Sequence, residues 1–258
     1  MRGMPNRLLA GTLAGLLLIV SGCAELEERT IVLQPVKAAG VHHITWSNFG
    51  ICHSRLERRA VGSWLRNLFN TRMDPVMHGI TGYEVGIARG ESCHLREVHQ
   101  FQTAVQFDFG SLPTGAIVRA TLNFRARADY GTDPPILTGT NDQCRISSVL
   151  RATAAWDPPS VPPYQWDGML QGLVEGEPLR PASAVFGWGA PFHPQDVTRT
   201  VVAWVRGEMP NNGFIVTPDR NQIAQVAGTV DDLNEQMMCG VTLGDARLEI
   251  SMLVRRSP

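Results

Sequence analysis

An alternation of apolar and polar side chains with a period of two constrains this chain more than any other feature. In residues 101–109, Phe101, Thr103, Val105, Phe107 and Phe109 fall on one side, with Gln102, Gln106 and Asp108 on the other. Residues 118–126 repeat the pattern, with Val118, Ala120, Leu122, Phe124 and Ala126 set against Arg119, Thr121, Asn123 and Arg125. Residues 246–254 set Ala246, Leu248, Ile250, Met252 and Val254 against Arg247, Glu249 and Ser251. Successive side chains of an extended strand point to opposite faces, so each row predicts a strand with one face in a core and one in water.

Weaker strand signals cover residues 30–36, 83–88, 144–154, 182–188 and 213–217. In 144–154 the aligned residues are Ile146, Ser148, Leu150 and Ala152. Leu112-Pro113-Thr114-Gly115 supplies turn chemistry between the first two strong rows. Many short strands at such spacing predict an all-β sandwich or barrel. One helix is expected near residues 57–70, where Val61, Trp64, Leu65, Leu68 and Phe69 form an i, i+3, i+4, i+7, i+8 stripe, with Arg58, Arg59 and Arg66 off it. Its apolar side is expected to pack on its own domain.

The amino terminus reads as a targeting segment. Arg2 and Arg7 precede an apolar run over residues 8–20, and Val20-Ser21-Gly22-Cys23 follows directly. The run is shorter than the about 20 apolar residues that span a bilayer, and it suits a signal-peptide core. The four residues resemble the lipobox of bacterial lipoproteins. That resemblance implies cleavage after Gly22, diacylglycerol on the Cys23 sulfur and acylation of the new amino terminus. Two or more chains would hold the protein firmly, whereas one gives only marginal membrane binding. Ala24 in place of aspartate favours the outer membrane by the sorting rule of such proteins. The expected organisation is a signal peptide over 1–22, a lipidated tether over 23–30 and a single β-sandwich domain over 31–258.

Composition narrows the partners. Hydrophobic residues make up 43% of the chain, enough for a real core, and the net charge is −1. No basic footprint for nucleic acid is present. Lys37 is the only lysine in the chain, so the cationic side chains are almost all arginine. Cys52, Cys93, Cys144 and Cys239 remain besides Cys23. An even number in an exported protein favours disulfides. Of three connectivities, Cys52–Cys93 and Cys144–Cys239 are favoured, because each pair flanks segments expected to lie together. Metal binding is the rival reading, against which no CxxC spacing occurs.

Four stretches in order resemble the DNRLRE-domain family, jelly-roll modules grouped with disaggregatase-related and alginate-binding carbohydrate modules. Phe101-Gln-Thr-Ala-Val-Gln-Phe-Asp-Phe-Gly-Ser-Leu-Pro-Thr-Gly-Ala is similar to the family's "rFdlSsLPaGA" strand and turn, and Ile117-Val-Arg-Ala-Thr-Leu-Asn-Phe continues it. Asp196-Val-Thr-Arg-Thr-Val-Val-Ala-Trp-Val-Arg-Gly with Asn211-Asn-Gly-Phe-Ile-Val resembles "dVT..V..W..G..nNGf.i", and Ala246-Arg-Leu-Glu-Ile-Ser resembles the closing strand. The likeness runs over about residues 80–254. It implies a jelly-roll sandwich and a glycan ligand. The family's two-tryptophan hairpin corresponds here to a proline-rich segment running from Trp156 to Trp166, and residues 40–80 have no counterpart.

No catalytic pattern stands out. His42, His43, His53, His78, His94, His99 and His193 are scattered. No HExxH, structural-zinc spacing or GxSxG elbow occurs, so neither a metal nor a cofactor is expected. The histidines are read as surface or hydrogen-bonded residues, and Asp129, Asp133, Asn141 and Asp142 as turn formers without EF-hand spacing. Sugars present flat C–H faces and hydroxyls, so a ligand platform is expected from Trp156, Tyr164 and Trp166 with Asp157 and Asp167 beside them. Prolines would limit the ordering cost of binding there. Trp204 is expected in the core. The chain is thus read as a non-catalytic envelope lipoprotein that binds a glycan, or alternatively as one that contacts envelope proteins.

Overall fold

The computed structural model describes residues 25–49, 77–89, 94–127, 145–146, 148–160, 169–179, 186–187, 194–229 and 237–256. The expected helix near 57–70 lies outside them. In chain order the strands are β1 (Leu26–Leu33), β2 (Pro35–Phe49), β3 (Met77–Arg89), β4 (His94–Phe107), β5 (Gly115–Arg127), β6 (Arg145–Ile146) and β7 (Ser148–Ala152). They continue with β8 (Leu170–Gln171), β9 (Gly176–Pro178), β10 (Phe186–Gly187), β11 (Gln195–Asp196), β12 (Phe214–Thr217) and β13 (Met237–Arg255). Two helices, α1 (Thr198–Val205) and α2 (Arg220–Thr229), flank β12. The protein is all-β in class, with a main sheet of 11 strands and a separate two-stranded pairing of β6 with β10.

Two long strands divide the main sheet into layers. The first half of β13 pairs with β3, from Met237 opposite Val85 to Gly244 opposite Met77; the second half pairs with β1, from Leu248 opposite Leu33 to Arg255 opposite Leu26. Along the other edge of β13 runs β5. Similarly, β4 is flanked by β3 over its first half and by β12 beyond it, with β2 along its whole other edge. Where β3 ends, β13 and β4 part company. The β1–β13–β5–β11 layer then faces the β2–β4–β12–β7–β9 layer across a shared core.

That core contains Ala120, Leu122, Phe124, Leu248, Ile250, Met252 and Val254 from one layer, and Val105, Phe107, Val149, Phe214 and Val216 from the other. The inward row of β13 is as its alternation predicts, with Arg247 and Glu249 exposed. A smaller cluster on the far side of β4 gathers Ala39, Val41, Ala104, Ala152, Trp156, Val174 and Ile215. β12 therefore lies between apolar groups on both faces, and all four of its residues are buried.

Several expectations change in detail. Val118, expected inward, is 51% exposed. A register shift between Ser251 and Met252 makes Arg119 and Ile117 successive partners of β13, so Val118 bulges out and Ile117 packs against the core instead. Gln102, expected toward water, is buried. The strand expected over 30–36 is divided by Gln34 between β1 and β2. Most of the tether expected over 23–30 is strand: β1 starts at Leu26, the Arg256 N–H donates to the Glu25 carbonyl (2.9 Å), and their side chains form an ion pair (2.7 Å). Neither α1 nor α2 is anticipated by the sequence reading.

Helix α1 starts where Asp196 Oδ1 accepts from Thr198 N (2.9 Å) and Oγ1 (2.6 Å), satisfying one first-turn backbone N–H and the hydroxyl of the same residue. These bonds lower the Asp196 pKa. The helix drives Trp204 into the core, as expected, against Phe214 and Phe109, with ring centroids 4.7 and 6.0 Å away.

The connection from α1 to β12 is set by Asn211 and Gly213. Asn211 Nδ2 donates to the Phe107 carbonyl (2.7 Å), its Oδ1 accepts from Gly213 N (3.2 Å), and Gln106 Nε2 donates to the Asn211 carbonyl (2.6 Å). Gly213 has φ +87°, and a Cβ there would lie 2.2 Å from the Val105 carbonyl oxygen. Both the conformation and the contact demand glycine. Gly213→Ala is expected to destabilise the fold by at least about 2 kcal/mol. Urea unfolding checks this, and a midpoint equal to that of the unsubstituted protein would contradict it.

Candidate functional site

Polar side chains buried between β2, β4 and β3 form the most chemically distinctive feature among the described residues. His42 lies opposite Phe101 on β4, and Glu84 of β3 lies opposite His99. Directly opposed residues of antiparallel strands share a face, so His42, Glu84, Glu97 and His99 project on one side. All are nearly inaccessible, at 3%, 0%, 5% and 4%. Gly82 and Gly86 flank Glu84 along β3 and add no side chains to this face.

The row is connected. His42 Nε2 and His99 Nδ1 lie 2.9 Å apart, and Glu97 Oε1 lies 3.1 Å from His99 Nε2, within ion-pair range but without hydrogen-bond alignment. The His42 ring also stacks on Phe101, with centroids 4.8 Å apart, and its side chain hydrogen-bonds Gln171 of β8. Burial, then the neighbouring His99, lower the His42 pKa to about 4. His42 resists protonation because a charged imidazole there would be closed off from water beside the His99 ring.

A second polar set stitches β4 to β12. Gln102 Nε2 donates to Thr217 Oγ1 (3.1 Å) and its Oε1 accepts from Val174 N (3.0 Å); Gln100 Nε2 also donates to Thr217 Oγ1 (3.2 Å). These bonds satisfy polar groups whose burial would otherwise cost about 1–3 kcal/mol each. Elsewhere, His78 Nε2 accepts the Ala246 N–H (3.0 Å) at the bulge where Asp245 has φ +46°. Burial lowers the His78 pKa, opposed by Asp245, and the accepting role itself requires an unprotonated Nε2.

Of the expected ligand platform, Trp156 and Asp157 are described. Trp156 is only 9% exposed, packs in the smaller apolar cluster, and donates from Nε1 to the Asn212 carbonyl (2.8 Å). Its ring is therefore a packing element rather than an open stacking face, because Ala39, Val41 and Ile215 already cover it. The Asp157 carboxylate, 85% exposed, pairs with Lys37 Nζ at 2.6 Å. Tyr164, Trp166 and Asp167 lie outside the described residues, as do Cys23, Cys52, Cys93 and Cys144. Cys239 lies on β13 opposite Tyr83. Opposition of Phe49 and His94 brings together the strand ends nearest in sequence to Cys52 and Cys93.

Among the described residues no group of three His, Cys, Asp or Glu side chains could hold a metal ion, and no helix is long and apolar enough to cross a membrane. The polar row is missed by sequence reasoning because its members come from three strands. The lone usable signal is His42-His43 in an otherwise strand-compatible segment. No protein-family model, curated protein or solved structure matches this chain.

Buried neutral histidines make stability depend on pH. The unfolded chain takes up protons on His42 near the ordinary value of 6.5, whereas the folded chain resists down to about 4. Stability is then complete above about pH 7 and falls as the pH drops from 6.5 toward 4. A loss of about 2 kcal/mol between pH 7 and pH 5 is expected. Urea midpoints at the two pH values measure it, with His42→Gln expected to flatten the difference. Equal stability of the unsubstituted protein at both would contradict the assignment.

Proposed function

We propose that this protein is a lipid-anchored envelope protein whose β domain is a non-catalytic, jelly-roll-type module for binding a glycan. The observation that carries the reading is that the family-like stretches coincide with the joints of the two-layer fold. The Leu-Pro-Thr-Gly turn links β4 to β5, Asp196 and Thr198 start α1, and Asn211 with Gly213 fixes the entry to β12. A likeness concentrated at structural joints supports a common architecture, and through it the ligand class of that architecture.

The proposed anchor is close to the body. β1 begins three residues after Cys23 and is laddered to β13 throughout. Three extended residues reach roughly 10 Å, so lipid on Cys23 would hold this end of the domain against the bilayer surface, at the outer membrane by the residue-24 rule. Replacing Cys23 with serine is expected to move the protein from the membrane to the soluble fraction on cell fractionation; retention in the membrane would refute lipid anchoring.

Burial of Trp156 narrows the proposed platform to Tyr164 and Trp166, with Asp157 and Asp167. A glycan array probed with the chain and its Tyr164→Ala and Trp166→Ala variants tests this. Selective binding that drops at least tenfold in either variant without loss of thermal stability is expected. Trp156→Ala should instead lower stability, by about 3 kcal/mol for a buried tryptophan. Flat binding across all glycans would remove the glycan reading and favour contact with envelope proteins.

A further inference from the structure

We propose that His42, His99 and Glu97 form a proton-operated latch that releases β2 from β4 in acid while the rest of the fold stays closed. Among the described residues, one edge of β2 pairs with β4 from Pro35 to Phe49, and the other pairs with the two residues of β8, through Val41 and His42. By contrast, β4 has β2 on one edge and β3 followed by β12 on the other. Among the described ladders, β2 is held along its length by β4 alone, whereas β3 lies between β13 and β4.

The latch sits in the middle of that ladder. His42 is held by His99 at 2.9 Å, by the Phe101 ring and by Gln171, the residue that also aligns β8. The backbone follows the same grouping, since Gly172 N donates to the His42 carbonyl (2.9 Å). On the other face of β2, Ala39 and Val41 pack with Ala104, Ile215 and Trp156. Departure of β2 would uncover this apolar cluster, so the latch couples a proton to exposure of a hydrophobic surface.

Titratable and charged groups surround His42 on both faces of the sheet. On the latch face β4 contributes Glu97 and β3 contributes Glu84. The opposite face carries His43 on β2, Arg96 on β4 and Tyr83 on β3, with Cys239 of β13 opposite Tyr83. From β8 comes only neutral Gln171. A proton on His42 places a charge in a buried site 2.9 Å from the His99 ring nitrogen, which disfavours the charged form, and opening of β2 lets water solvate it.

Hydrogen exchange of the full chain at pH 7.4 and pH 5.0, each scaled to its own intrinsic rate, tests the latch. At pH 5.0 peptides covering β2 and β8 are expected to exchange at least tenfold faster than at pH 7.4 through a local opening that low urea does not accelerate, whereas β5 and the second half of β13 exchange only through the urea-accelerated global opening. His42→Gln should keep β2 equally protected at both pH values; His99→Gln serves if that variant does not fold. Unchanged protection of β2 in the unsubstituted protein overturns the proposal. So does exchange of β2 only through the urea-accelerated global opening, or acid opening of β2 in a folded variant to the same extent as in the unsubstituted chain.

Discussion

The backbone ladder along β13 is the interaction on which the rest of the structure depends. Its 19 residues exchange β3 for β1 on one edge while β5 follows the other. A strand that changes partner midway lets the sheet divide, since its two halves are laddered to different strands and twist carries those strands into different layers. The facing layers, and hence the core between them, follow from that exchange. β4 repeats it with β3 and β12, and the two exchanges meet at β3.

Splitting the sheet has a chemical consequence. Near β3 the strands β2, β4 and β3 lie side by side, and their second face is lined with His42, Glu84, Glu97 and His99 instead of aliphatic groups. Buried charge is costly unless paired; His42, His99 and Glu97 are linked to one another, and the fold becomes sensitive to protons through His42. Stabilising polar contacts and proton sensitivity are here two aspects of one arrangement. Asp196 loses stability in acid for a different reason: hydrogen bonds from Thr198 favour its charged form, so it supports the fold until acid protonates it.

Legibility in the sequence follows solvent exposure. The inward rows of β5 and β13 are readable because one face is buried and the other wet, which writes a period of two into the residues. β12 is buried on both faces and shows no alternation. β7 is similar, with Val149 in the main core while Leu150 and Ala152 turn to the smaller cluster. The bulge that turns Val118 outward depends on Met252, more than a hundred residues away. Gln102 looks like a surface residue until Thr217 and Val174 supply its bonds.

By itself, the sequence determined the all-β class, the inward faces of β13 and of β5 from Ala120 to Phe124, and the core position of Trp204, because these express local periodicity and side-chain hydrophobicity. Tertiary structure alone decided that His42 would meet His99 and that Trp156 would be covered, with its indole N–H given to Asn212. Those outcomes depend on which strands become neighbours and in what register. Register is a property of the closed ladder: a shift of one residue sends every side chain of a strand to the other face, and no local pattern around residues 42 or 156 encodes the partner that fixes it.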